Sequence, residues 1–222
     1  MKRPDKYQNL ALASLKGHWG EAVICSLIVF GAFIIYSTIG GTSHEDVNIL
    51  RMLLSYAALF LLCRPLQMGY ANAFRSALVD SNYAMSTNMI NVAFRCYWHN
   101  VKTLFLKEIF IALWTLLFII PGILMSLSYS MTKYIIKDYP SLSPKQAIDL
   151  STKMMEGHRM QLFVLYLRFF GWMILCTLTV GVGFLWLAPY ISSSTAAFYE
   201  DVKAEYEANN ATVIEAPQES AL

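Results

Sequence analysis

Four side chains have the type and setting to do chemistry: Arg64, His18, His99 and His158. Arg64 interrupts the otherwise charge-free run 52–74. A guanidinium at such a place faces a partner or a watery cavity, or snorkels towards headgroups. No acidic residue is expected at its depth, so snorkelling is the simpler expectation. The three histidines each sit in a polar turn ahead of a long apolar run, and convergence would permit a metal site. Zinc, however, takes four ligands at about 2 Å, usually with thiolate or carboxylate help. No such pattern accompanies them, and helix capping or interfacial hydrogen bonding is the expected role. His44, beside Glu45 and Asp46, reads as a solvated loop residue. Glu21 and Glu108 precede apolar runs and suit a helix start, where a carboxylate interacts favourably with the dipole; a proton relay is the rarer use. No nucleophile with a base and no His-Glu-x-x-His pattern is visible. No catalytic, cofactor or metal residues, and no enzyme activity, are therefore expected.

The elements that position these residues follow from composition. Of 222 residues, 56% are hydrophobic and 14% charged. A soluble domain carries about a quarter charged residues, so lipid rather than water is the expected solvent. Net charge is only +2 with scattered basic residues, which argues against a nucleic-acid partner. Cys25, Cys63, Cys96 and Cys176 lie far apart and read as small packing residues. The first apolar run exceeds a signal-peptide core and is taken as an uncleaved first span.

Largely charge-free runs cover 22–43, 52–74, 109–132 and 169–199. Two contain helix breakers near the middle, Pro121-Gly122 and Gly181-Val182-Gly183. If both are straight crossings, Lys133, Lys137, Lys145, Lys153, Arg159 and Arg168 join Arg51 on the outer side. If both are hairpin turns, Arg51 is the sole outer cation among the 17 Lys and Arg. The positive-inside rule selects the hairpins. The expected fold is all-α: a polytopic helical membrane bundle of six transmembrane helices, arranged as three hairpins with cytoplasmic interfacial helices. The spans are placed near 21–39, 50–66 with a continuation towards 78, 102–120, 121–137, 161–178 and 183–199. Pro121 would open the fourth helix, with a kink in one long helix as the competing reading. Residues 1–201 form one integral membrane domain, and 202–222 a disordered acidic cytoplasmic tail.

Before each hairpin comes an amphipathic segment ending in a histidine-containing turn: Leu15-Lys16-Gly17-His18-Trp19, Cys96-Tyr97-Trp98-His99-Asn100 and Met155-Glu156-Gly157-His158-Arg159. The third is best formed, since Ser143, Pro144 and Gln146 make a capping box and Ala147, Ile148, Ser151, Met154 and Met155 share a face. The unit is an interfacial helix plus a hairpin, used three times, although three loose instances also admit chance similarity. Trp19, Trp98 and Tyr134 fall at the inner boundary, and Tyr36 and Trp186 at the outer one, as an aromatic belt requires. Trp114 and Trp172 fall deeper and are expected between helices. Gly31, Gly171 and the run Ser192 to Ala197 suit close helix contacts.

Several stretches, including Leu15 to Gly20, Ile120-Pro121-Gly122-Ile123, Met154 to His158, Phe170-Gly171-Trp172, Leu178 to Gly183, Leu185 to Tyr190 and Ala197 to Asp201, resemble signatures of a bacterial integral membrane family catalogued as domain of unknown function 975. The resemblance extends to about Asp201 and is strongest from Met154 onward. It implies a bacterial cytoplasmic (inner) membrane protein, with both termini cytoplasmic on the topology above. More distantly, the stretches are similar to membrane portions attached to some glycerophosphodiester phosphodiesterases. The family supplies no catalytic residues. The expected partners are membrane lipids, with protein partners or a homo-oligomer left open. The expected function is a non-enzymatic accessory or scaffold, the alternative being a small-solute transporter or channel built on the broken helices.

Overall fold

A computed structural model describes residues 4–41, 49–79, 85–179 and 181–214. His44, Glu45 and Asp46 of the first expected outer loop, and 215–222 of the expected tail, lie outside these residues. The described residues form ten helices and no strand: α1 (Pro4–Leu15), α2 (Trp19–Gly41), α3 (Ile49–Val79), α4 (Met85–Phe94), α5 (Tyr97–Leu117), α6 (Ile119–Ser128), α7 (Thr132–Asp138), α8 (Pro144–Met154), α9 (Arg159–Leu178) and α10 (Phe184–Ile214).

The order is a short helix followed by a pair of packed arms, three times. The turn between short helix and first arm is built alike each time: Gly17, Cys96 and Gly157 all take positive φ, at 93°, 55° and 78°. Counting five and eight residues onward from each gives Ala22 and Cys25, Val101 and Leu104, and Leu162 and Leu165, all buried. The backbone N–H groups of His18 and His158 bond the carbonyls of Leu15 and Met155 in the same way. His99, by contrast, lies three residues beyond its positive-φ position rather than one. The correspondence of histidines holds for His18 and His158 alone.

Two arm pairs reverse at the breakers. Phe118 is extended (φ −156°, ψ 141°) between α5 and α6. Beyond it Thr115 touches Gly122, where a Cβ would come within 2.7 Å of the Thr115 Cα, and Phe110 meets Tyr129 at 6.4 Å between ring centroids. The arms are thus antiparallel. The reversal sits three residues before Pro121, which occupies the third helical position and not the first. Its absent N–H is still in the first turn, where no intrahelical carbonyl awaits it. The second arm then breaks again at Tyr129–Met131, so 121–137 is two helices, α6 and α7. At the third reversal Gly183 packs on Cys176, and Phe169 meets Tyr190 edge to face at 5.2 Å. α3 and α10 each carry an internal proline, Pro65 and Pro189, nine residues before a fully buried phenylalanine, Phe74 and Phe198.

The short helices close the arrangement. α4 packs on α2 and α3, α8 on α5 and α7, and α1 on α9 and α10. Each therefore lies against the arms of the preceding unit, and the first reaches round to the last, giving a ring of three. α8 carries the expected capping box, and Ala147, Ile148, Ser151, Met154 and Met155 are all buried, turned to the bundle. The Ser151 hydroxyl donates to the Ser128 carbonyl at 2.7 Å.

Several expectations are corrected. α10 continues to Ile214, so the stretch after residue 201 is not a disordered tail as far as that residue. Val202 is buried, and Lys203, Glu205 and Glu207 find partners on α7, at His158 and at Tyr139. Tyr134 is fully buried rather than interfacial, while Trp114 and Trp172 face outward. The run 192–197 is buried as expected, but a Cβ at Gly31 or Gly171 would meet nothing within 4 Å. Close approach occurs instead at Gly69, where a Cβ would overlap the Met89 carbonyl of α4. Cys96 is exposed, unlike buried Cys25 and Cys176.

A non-glycine residue at positive φ costs about 1 kcal/mol. Cys96→Gly is therefore expected to raise unfolding stability by about that amount. Gly157→Ala, which meets no steric contact, should lower it by about 1 kcal/mol. Denaturant melts followed by circular dichroism check both.

Candidate functional site

The second arms of the three units meet at one end of the ring, and their polar ends form a charge cluster. Arg75 comes from α3, Asp138 from the last turn of α7, and Tyr199, Glu200 and Lys203 from α10. The Arg75 guanidinium bonds Asp138 Oδ1 through Nη1 and Glu200 Oε1 through Nε. Asp138 Oδ2 accepts from Lys203 Nζ at 2.7 Å and from the Tyr199 hydroxyl at 2.8 Å. Arg75 also stands 4.8 Å from the centre of the Tyr199 ring, which stacks on Tyr134 with 4.8 Å between centroids. The side chains of Arg75 and Asp138 are 11% and 12% exposed.

Burial pushes the Asp138 carboxyl up, yet the hydrogen bonds from Arg75 and Lys203, the Arg75 charge and the Tyr199 hydroxyl outweigh it and hold the group below the usual carboxylate range. A carboxylate whose oxygens are committed to three donors is a poor base. It acts as a strut between units, because its cations arrive from the first and third while it belongs to the second. Around it, Lys137 Nζ donates to Ser76 at 2.6 Å, and Asn72 donates to the Lys133 carbonyl at 2.9 Å. A cavity of about 340 Å³ opens beside Asp138, bordered by Arg95, Cys96, Asn100 and Lys137.

A second set of contacts fastens α1 to the last unit. Lys6 Nζ lies 2.9 Å from Asp201, the Tyr7 hydroxyl donates to the same carboxylate at 3.1 Å, and Tyr7 meets Phe198 edge to face at 5.3 Å. Arg168 of α9 pairs with Asp5.

The residues singled out from sequence do not gather. Arg64 is half-buried, with Nη1 3.2 Å from Glu108 Oε1. This corrects the expectation of no acid at its depth: α3 and α5 run side by side, and Glu108 faces Arg64 across the contact. His158 Nε2 lies 3.5 Å from Glu205 Oε1, and its Nδ1 is buried without a hydrogen-bond partner. His99 Nε2 is likewise buried and unpartnered, on the first turn of α5. His18 is half-buried in the α1–α2 turn. Among the described residues, no group of three or more His, Cys, Asp or Glu is placed to hold a metal ion. Pro121, Gly122, Gly181 and Gly183 all lie at or next to the two chain reversals.

Arg75, Asp138, Glu200 and Lys203 were not legible as a site. Their common signal is position, since each stands at the polar end of the second arm of its unit.

Residues 116–206 match the model of the family described as Protein of unknown function (DUF975). The matched stretch holds α6 to α9, with Asp138, Glu200 and Lys203 but not Arg75. The Leu15 to Gly20 resemblance lies outside it. No curated protein and no solved structure matches the chain.

The folded Asp138 titrates lower than it would unfolded. Its contribution is thus present above the unfolded value near pH 4 and disappears as pH falls through the folded value. Asp138→Asn is expected to lower stability at pH 7 by about 3 kcal/mol, since Arg75 and Lys203 lose their shared buried carboxylate and Arg75 keeps only Glu200. The gap to the parent should narrow as both are melted towards pH 2. A gap that stays constant with pH would show that the carboxylate is not charged in the fold.

Proposed function

We propose that the chain is a six-span inner-membrane protein of three hairpins, with α1, α4 and α8 near the cytoplasmic surface and both termini inside. It works without turnover, as an accessory or scaffold factor acting through lipid or protein contacts. The observation that carries this reading is the surface of α9. Its 20 residues extend about 30 Å, enough to cross hydrocarbon. Only Leu162, Leu165, Phe169 and Cys176 of this helix are buried, while Leu167, Phe170, Trp172, Ile174, Leu175 and Leu178 face outward. In water such a continuous apolar face drives association, and in lipid it is ordinary.

Among the described residues, α9 is the one helix long and apolar enough to span by itself, with a shorter apolar stretch over Trp19–Gly31. The arms of the second hairpin reach full length only by including charged residues: α5 carries Lys102, Lys107 and Glu108, and α6 and α7 share one arm. A short hairpin of this kind sits in a locally thinned bilayer. The outward side chains of Leu116, Phe118 and Ile120 at its tip, 86%, 67% and 74% exposed, accord with that immersion. A transporter reading leans on helices broken in mid-membrane. Here both interruptions have antiparallel arms on either side, so that reading gains nothing from them. The three donors on Asp138 hold it as a stable carboxylate and a poor base, which favours a strut over acid–base chemistry at this cluster.

Single cysteines in a chain free of its own four will test the arrangement. Phe118→Cys, at the exposed reversal between α5 and α6, is expected to react with an impermeant maleimide in intact cells, and Lys145→Cys only after permeabilisation. Labelling of Lys145→Cys from outside would overturn the topology.

A further inference from the structure

α6 and α9 belong to neighbouring hairpins and run past each other without closing. Between them lies a groove of about 450 Å³, walled by Ile123, Leu124 and Leu127 on one side and Met160 and Phe163 on the other, with Ile120 at the far end. That volume lies in the range of small-ligand sites, and the walls offer almost nothing polar along their length.

The exception stands at one end. Arg159, the first residue of α9, borders the groove beside Gly157. Its Nε is buried with no hydrogen-bond partner, and the guanidinium makes no ion pair among the described residues. Arg64, Arg75 and Arg168 each pair with a carboxylate. An arginine stays charged at any physiological pH, and a desolvated N–H without an acceptor costs about 1–3 kcal/mol. A fixed cation at the head of an apolar trough is complementary to an anionic amphiphile: hydrocarbon along the walls, a negative headgroup at Arg159.

We propose that this groove binds one anionic phospholipid, an acyl chain lying between α6 and α9 and the phosphate accepting hydrogen bonds from Arg159. The proposal rests on the membrane reading above and gives it a lipid class and a site. The depths agree, since that reading puts the start of α9 at the inner leaflet and α6 within the hydrocarbon. Guanidinium-to-phosphate bonds are charge-assisted and often bidentate, which favours a phosphate monoanion over a zwitterionic headgroup whose own cation competes.

The test uses the full chain in detergent micelles, read by native mass spectrometry against phosphatidylglycerol and phosphatidylcholine of identical acyl chains. The parent is expected to retain one phosphatidylglycerol at a concentration about tenfold below that needed for phosphatidylcholine, the equivalent of a single charge-assisted contact. Arg159→Gln should abolish the preference, while Arg159→Lys keeps most of it. Leu124→Trp, which fills the groove and leaves the cation in place, should reduce retention of phosphatidylglycerol. Equal retention of the two lipids by the parent, or undiminished phosphatidylglycerol on either Arg159→Gln or Leu124→Trp, would overturn the site. Failure of the membrane reading looks different: alkaline carbonate would strip the chain from the membrane fraction, whatever lipid it binds in micelles.

Discussion

The architecture depends on a carboxylate that has been taken out of water. Asp138 is 12% exposed and ionised, a state that lasts only while cations stand next to it. None of those cations is local. Arg75 lies 63 residues before it and Lys203 65 residues after it. Stability as such does not require the arrangement, since a well-packed apolar substitute for a buried ion network is often as stable. Its effect is specificity of assembly: any packing that moves α3 or α10 away from α7 strands a charge.

The same logic runs through the rest of the ring. Each short helix buries its apolar face against a neighbouring unit's arms, so no unit completes its own core. α1 carries this furthest, because its partners are at the other end of the chain: Tyr7 and Lys6 meet Asp201, Tyr7 packs on Phe198, and Asp5 pairs with Arg168. Glycine or small residues appear where backbones must touch, at Gly69 against α4, Gly122 against Thr115 and Gly183 against Cys176. On α6 and α9 apolar side chains also face outward, and the groove between these helices is bordered at one end by the charge of Arg159.

Sequence patterns disclosed the parts that are encoded within a few residues. The capping box at Ser143, the two chain reversals near Pro121 and Gly181, and the burial of 192–197 all follow from local chemistry. Three features did not. The reversal falls at Phe118 because the tight contact needed is Gly122 on Thr115, which places the break before the proline. The second break at Tyr129–Met131 has no glycine or proline to announce it. α10 runs beyond residue 201, where Lys203, Glu205 and Glu207 meet Asp138, His158 and Tyr139 from distant parts of the chain, and a window on the tail alone sees mostly polar residues. The cluster at Asp138 was hidden for the same reason. Charged residues at the ends of apolar runs look like ordinary interfacial ones until three such ends are known to meet. Arg64 shows the converse, an anomaly in its own window that becomes a plain pair with Glu108 once α3 and α5 lie together.

The most direct measurement is a double-mutant cycle on Arg75→Gln and Asp138→Asn, read as unfolding free energy of the full chain. If Asp138 ties the first unit to the second, the two losses are strongly non-additive, with a coupling of about 1.5 kcal/mol or more. Additive losses, agreeing within about 0.3 kcal/mol, would mean that the two side chains do not interact in the folded protein and that the three units are held together by other contacts.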